Sequence, residues 1–163
     1  MALNLNLKVV GLMAGLALLG ACSDKDSSSG ASTGAGASAT TGGVTPGSQE
    51  DLVANVGDRV FFPDDSSNLS ADARTTLDRQ AGWLSRYPQV SIQMAGNCDE
   101  RGTTEYNLAL GQRRANAARD YLVARGISSA RVSTISYGKE RPTALGGDAQ
   151  AYSQNRNAIT SVR

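Results

Sequence analysis

A chain of 163 residues with 16 Lys and Arg against 15 Asp and Glu carries a net charge of +1, without the basic excess that a nucleic-acid surface needs. It has no histidine, so it offers neither a Ser-His-Asp set nor a histidine-bearing metal centre, and no other group of residues has metal-ligand spacing. The composition therefore points away from an enzyme and from any bound metal or cofactor, and toward a binding protein.

After Lys8 the chain runs through thirteen apolar or small residues, Val9 to Ala21, without a charge. A membrane span takes about 20 such residues. A short positive start, a short apolar run and a small-residue end instead read as an export signal, expected over residues 1–21. The run closes in Leu19-Gly20-Ala21-Cys22, which resembles a bacterial lipobox. That resemblance implies that Cys22 carries covalent lipid and becomes the new N-terminus. One acyl chain anchors only marginally, and two or more give stable attachment. Ser23 follows the cysteine, and by the same resemblance this favours the outer membrane. With Cys22 acylated, Cys98 has no partner, and no intramolecular disulfide is expected.

Residues 22–50 are expected to be a lipidated cysteine and its tether. SSSGASTGAGASATTGG (27–43) has no large apolar side chain to offset the entropy of ordering. As a coil of roughly 25 residues such a segment averages about 25–30 Å end to end. The remainder, residues 51–163, is long enough for one domain with its own core. Once Lys8, Lys25, Asp24, Asp26 and Glu50 are set aside, it carries 14 basic and 12 acidic side chains, and it has no internal repeat.

Within that domain, residues 58–62 (DRVFF) are short and apolar and are closed by Pro63-Asp64-Asp65, the pattern of a first strand ending in a turn. Ser70 suits a helix N-cap. Behind it Ala73, Leu77, Ala81 and Leu84 recur at helical spacing as far as Tyr87, with Pro88 as the stop. VSIQMAG (90–96) alternates Val90, Ile92 and Met94 with polar or small residues, as a half-buried strand does. A long helix is predicted from about Thr103 to Gly126. Its inward stripe is Leu108, Gly111, Ala115, Ala118 and Leu122, and the small members imply close approach to a sheet. RVSTISYG (131–138) suits a third strand, DAQAYSQNR (148–156) a short helix, and NAITSVR (157–163) a final strand. The alternation predicts an α/β two-layer sandwich with a β-α-β-α-β core and two long helices.

The densest chemistry lies in GNCDERGTTEYNLALGQRRANA (96–117). Asp99, Glu100 and Arg101 fall on the loop between the second strand and the long helix, where ligand sites of α/β sheets gather. The helix start also offers free N–H groups to an anion. Asn107 and Arg114, seven residues apart, fall about 20° short of two full turns and share a face roughly 10 Å apart, whereas Arg113 is turned about 100° away. Asp99, Asn107 and Arg114 can thus converge. An acid opposed to an arginine is what a zwitterion requires, the carboxylate accepting from an ammonium and the guanidinium forking onto a carboxylate. The same residues also suit a plainer role. Acids near a helix start complement its dipole by about 0.3–1 kcal/mol, and arginines on a helix form a solvated face. Cys98 lacks the activating neighbour that a catalytic thiolate needs and reads as a small buried or half-buried thiol.

GNCDERGTTEYNLALGQRRANAARDYL (96–122), with VSTISYGKERP (132–142), resembles the OmpA-like C-terminal domain family, and within it the peptidoglycan-associated lipoproteins of Gram-negative bacteria. The resemblance covers nearly all of residues 58–163, implies that the α/β sandwich has a mixed sheet of about four strands, and extends to the lipobox and tether, which complete the same architecture. It implies noncovalent binding of peptidoglycan through meso-diaminopimelate, whose side chain ends in a zwitterionic amino-acid head. The family's aspartate and arginine fall on Asp99 and Arg114, Asn107 and Leu108 match residues flanking the ligand, and Asn97 stands where the family usually has histidine. The resemblance further implies a periplasm-facing domain anchored to the outer membrane, with a periplasmic β-propeller protein of the Tol system as partner. The implied role is to keep the envelope intact and to constrict the outer membrane at cell division. Three departures stand out: Asn97, Cys98, and Arg156-Asn157 in place of paired arginines. They support an alternative expectation, a protein-interaction lipoprotein of the Tol system with a weakened wall site. Asp99 and Arg114 are each expected to be replaceable by alanine without loss of the fold.

Lipidation is directly testable. Cys22→Ser should abolish metabolic labelling with a fatty acid and stable fractionation with the outer membrane; equal label in the variant would overturn the lipobox assignment.

Overall fold

The computed structural model describes residues 44–163, so the expected signal peptide, Cys22 and most of the expected tether lie outside the described residues. Helix α1 (Gln49–Asn55) opens the domain, capped by the Ser48 side chain, which accepts from the Asp51 amide. The sequence reading placed no helix here, and α1 begins inside the stretch expected to be tether. Seven residues are too few to hold a helix alone. Its stability comes from distant partners. Leu52 is fully buried, the Trp83 indole N–H donates to Asp51 at 2.9 Å, and Gln49 reaches across to the end of the chain.

Strand β1 (Arg59–Phe61) is followed by α2 (Ala71–Arg86), with Ser70 as its N-cap. All four stripe residues of α2, Ala73, Leu77, Ala81 and Leu84, are buried as expected, together with Trp83. Strand β2 (Ile92–Asn97) leads into α3 (Thr104–Ala124), which Thr103 caps and which ends before Gly126 at φ +93°. A 3-10 turn (Ser129–Arg131) precedes β3 (Val132–Gly138), then α4 (Ala149–Asn155) and β4 (Asn157–Val162) follow.

The four strands form one mixed sheet in the order β1-β4-β2-β3. β4 runs antiparallel to both β1 and β2, and β2 runs parallel to β3 across the α3 crossover. β2 is therefore an interior strand. It is not half-buried along its length: Ala95, Gly96 and Asn97 are all buried. The helices cover one face, where Leu77, Leu84, Ile92, Met94, Ala115, Ala118 and Leu122 form the core. Buried polar groups on this side are satisfied. Gln80 donates to the Gly57 carbonyl at 2.7 Å and accepts from the Thr160 hydroxyl at 2.9 Å.

Helix α3 meets β2 backbone to backbone. A Cβ on Gly96 would fall 1.9 Å from the Gly111 carbonyl oxygen, and one on Gly111 would fall 2.3 Å from the Ser136 hydroxyl. The inward stripe needs one correction. Leu108 is 40% exposed, and Leu110 is buried in its place. Leu108 sits about 60° to one side of Gly111, beyond the sheet at Gly138, whereas Asn107 and Arg114 sit about 40–60° to the other side. The buried seam of α3 is tilted toward those two polar residues, which a stripe traced through apolar letters does not follow.

Gly96→Ala should therefore destabilise the domain by about 3 kcal/mol, since neither backbone can give way. Gly82, in α2 with open space where a Cβ would be, should behave oppositely: Gly82→Ala should stabilise by about 0.5–1 kcal/mol. Urea denaturation of the two variants checks the pair.

Candidate functional site

A cleft of about 250 Å³ opens where β2 ends and α3 begins, walled on the other side by the β1–α2 loop. Asp99, Asn107 and Arg114 all line it, and Arg113 does not; it is exposed, 5.9 Å from the Tyr106 ring. Cys98, Arg101, Leu110 and Arg156 complete the interior, with Asp64, Asp65 and Tyr106 at the mouth.

Arg114 is completely buried. Its guanidinium donates to the main-chain carbonyls of Ser66 at 2.8 Å, Asn97 at 2.9 Å and Pro63 at 3.1 Å, and to the Cys98 sulfur at 3.4 Å. The Phe62 ring lies 5.4 Å away. Four of its five N–H groups are thus used, none on a carboxylate, and one on Nη2 remains. Burial holds the pKa of this group below the usual arginine value, with the neighbouring Arg156 charge acting in the same direction. Arg114 also stitches the β1–α2 loop to the end of β2. Replacing it with alanine would orphan three carbonyls, so the expectation that Arg114→Ala leaves the fold intact is corrected; a loss of about 3 kcal/mol or more is expected.

Asp99 is 6% exposed and already engaged. Arg101 grips it three ways: its backbone N–H at 3.2 Å and Nε at 3.1 Å meet Oδ1, and Nη2 at 2.7 Å meets Oδ2. Arg156 adds a contact at 3.3 Å, and Arg101 reaches on to Asp64 at 2.5 Å. The result is an alternating chain, Asp64–Arg101–Asp99–Arg156. Burial alone would raise the Asp99 pKa. The Arg101 side chain and backbone N–H, and then Arg156, outweigh it and hold the carboxyl below the usual aspartate range. Arg101 is in turn pushed above the usual arginine value by Asp99 and Asp64.

Asn107 fixes the loop between β2 and α3 by donating from Nδ2 to the Arg101 carbonyl at 2.7 Å. Among the described residues its Oδ1 accepts no hydrogen bond and stays available to a donor. At the mouth, the Tyr106 hydroxyl donates to Asp65, a residue in the left-handed region at φ +46°. Cys98 is buried, and desolvation pushes its thiol above the usual value despite the nearby Arg114 charge, so it is not a reactive thiolate at neutral pH. Among the described residues no group of acidic or cysteine side chains is arranged to hold a metal.

Two other expected site residues lie elsewhere. Leu108 is on the surface beside Gly138, outside the cleft lining. Asn97 gives the cleft only its carbonyl; its side chain lies on the open sheet face and donates to the Asn157 Oδ1 at 2.8 Å. The two amide departures therefore contact each other, away from the cleft. Sequence reasoning missed Leu110, Arg101 as the partner of Asp99, and Arg156 as its second cation. Only Arg156 carried a signal, through its place beside Asn157.

Residues 61–156 match the OmpA family, the class of domain that this strand order and its cleft define. A peptidoglycan-associated lipoprotein of Mesorhizobium japonicum is 52% identical over 161 residues, covering 99% of this chain and 94% of that protein. The crystal structure of the peptidoglycan-associated lipoprotein from Burkholderia pseudomallei superposes with a TM-score of 0.66 at 38% identity, covering 71% of this chain and 99% of that one. The C-terminal domain of Helicobacter pylori MotB shares the fold at 21% identity, with a TM-score of 0.61 over 65% of this chain and 84% of that one. The chain belongs to the OmpA family and, within it, to the peptidoglycan-associated lipoproteins.

The Asp99 charge has a pH signature. Its folded pKa is lowered, so its contribution to stability is fully present above the ordinary aspartate value of about 3.9 and is lost as pH falls through the lowered one. In Arg101→Gln the strongest lowering contact is gone, and acid-induced loss of stability should begin at higher pH. Thermal melts across the acidic range, with an NMR titration of the Asp99 carboxyl, measure this; identical acid limbs would overturn the assignment.

Proposed function

We propose that this cleft holds the zwitterionic head of meso-diaminopimelate in peptidoglycan, as the resemblance of the Asp99 to Arg114 block implies. The observation that carries the reading is a fully buried guanidinium with an unspent N–H and no carboxylate partner, sharing a cleft with an ionised aspartate. A ligand carboxylate supplies Arg114 with the anion it lacks. A ligand ammonium meets Asp99 and the free Oδ1 of Asn107, sharing Asp99 with Arg101 or displacing it. Arg156 keeps a second cation beside the carboxylate, and Leu110 gives the aliphatic stem an apolar wall. Leu108 contributes at most from outside the cleft, and Asn97 through its carbonyl on Arg114.

The names of the relatives match this reading, since both are peptidoglycan-associated lipoproteins. With lipid on Cys22 and an outer-membrane location, the tether would let the domain reach the wall from the periplasmic side. A periplasmic β-propeller protein of the Tol system would be its protein partner in envelope integrity and outer-membrane constriction. The alternative, a Tol-system lipoprotein with a weakened wall site, rested on Asn97, Cys98 and Asn157. The mutual hydrogen bond of Asn97 and Asn157 outside the cleft favours a working site.

Asp99→Asn keeps the shape and removes the charge. Each charge-assisted contact is worth about 1.5–3 kcal/mol, or roughly ten- to a hundredfold in affinity. Sacculus pull-down should fall by that factor, with thermal melting confirming a folded variant. Lysine-type peptidoglycan, which lacks the terminal carboxylate, should bind poorly to the unmutated protein. Full retention by Asp99→Asn, or equal binding of lysine-type wall, overturns the zwitterion reading.

A further inference from the structure

Among the described residues the helices pack on one face of the sheet, and the other face carries arginines without a counter-charge. Among the described residues two buried side-chain atoms have no hydrogen-bond partner, Arg59 Nε and Asn97 Oδ1. Strand alternation and register put both on the open face, with Arg59 opposite Ile159 on β4 and Asn97 beside Ala95 on β2. A groove of about 220 Å³ runs over this face, lined by Gln93, Asn97, Tyr137, Arg141, Ile159 and Ser161.

Two further features define what would fit. The face is cationic and unpaired: Arg141 stacks 3.8 Å from the Tyr137 ring centroid, and neither it nor Arg59 forms an ion pair among the described residues. No Asp or Glu shares this face on any of the four strands. It is also partly apolar, with Phe61 49% exposed and Ile135 and Ile159 half-buried beside it.

We infer that the open sheet face is a docking surface for an extended acidic segment of a partner protein, separate from the cleft. Carboxylates of that segment pair with Arg59 and Arg141, and its apolar residues cover Phe61 and Ile159. An inorganic anion would serve the arginines but leave Phe61 and Ile159 uncovered. A second copy of this chain would set arginine against arginine.

The test uses the full chain in detergent, with a fluorescein-labelled peptide of alternating glutamate and valine as probe and its glutamine counterpart as control. The glutamate peptide should bind, weakening as salt is raised. Arg59→Gln and Arg141→Gln should each weaken it about tenfold while leaving sacculus pull-down unchanged. A fall in pull-down alone would concern the cleft and not this face. The inference is overturned if the two peptides bind alike, if neither substitution matters, if deleting residues 24–43 strengthens binding because the tether occupies the face, or if sedimentation shows self-association through it.

Discussion

The close approach of Gly96 and Gly111 sets the depth at which the long helix lies on the sheet, and the cleft follows from that depth. With α3 pressed onto the β2 backbone, Asn107 one turn before Gly111 and Arg114 about one turn after it are carried below the surface. From there Arg114 reaches carbonyls on two segments, the end of β2 and the β1–α2 loop. A larger residue at either glycine has no room at that depth, so the donor set of Arg114 depends on both staying small. Close packing of two small residues is thus what turns an arginine from a surface charge into a structural one.

Much of this was legible from local rules. The N-cap at Ser70, the start of the long helix near Thr103, the helical spacing of Ala73, Leu77, Ala81 and Leu84, and the strands at β1, β2, β3 and β4 all follow from residues near one another in the chain. What escaped depends on distant contacts. Helix α1 has one fully buried residue, Leu52, and is held by Trp83 and by the last strand, which no local pattern reveals. The exchange of Leu108 for Leu110 has a related cause, because polar residues at Asn107 and Arg114 pull the buried seam sideways. Helical spacing did bring Asp99, Asn107 and Arg114 together, but spacing carries no measure of burial. It left open whether these were solvated side chains; Arg114 proves to be wholly enclosed.

The charges of the cleft are arranged in series. Asp64, Arg101, Asp99 and Arg156 alternate in sign, which keeps Asp99 ionised in a place where burial alone would favour its neutral form. Arg114 stands outside that series and depends on dipoles instead of a counter-charge. An aspartate held by movable cations and an arginine held by fixed carbonyls are unequal partners. The first can exchange one cation for another without being neutralised, while the second stays in place whether or not an anion is present.

Gln49 closes the account at the other end of the domain. β1 is three residues long and β4 six, so part of the β4 edge has no strand beside it. The Gln49 side-chain amide fills that gap, donating to the Thr160 carbonyl at 3.3 Å and accepting from the Val162 amide at 2.7 Å. One side chain at the start of the folded part therefore clamps the strand at its end. Tension applied at the N-terminus would load this clamp and the Asp51–Trp83 bond before it reached any strand-to-strand ladder. Under pulling, α1 is therefore the element loaded first, ahead of the sheet and the cleft built on it.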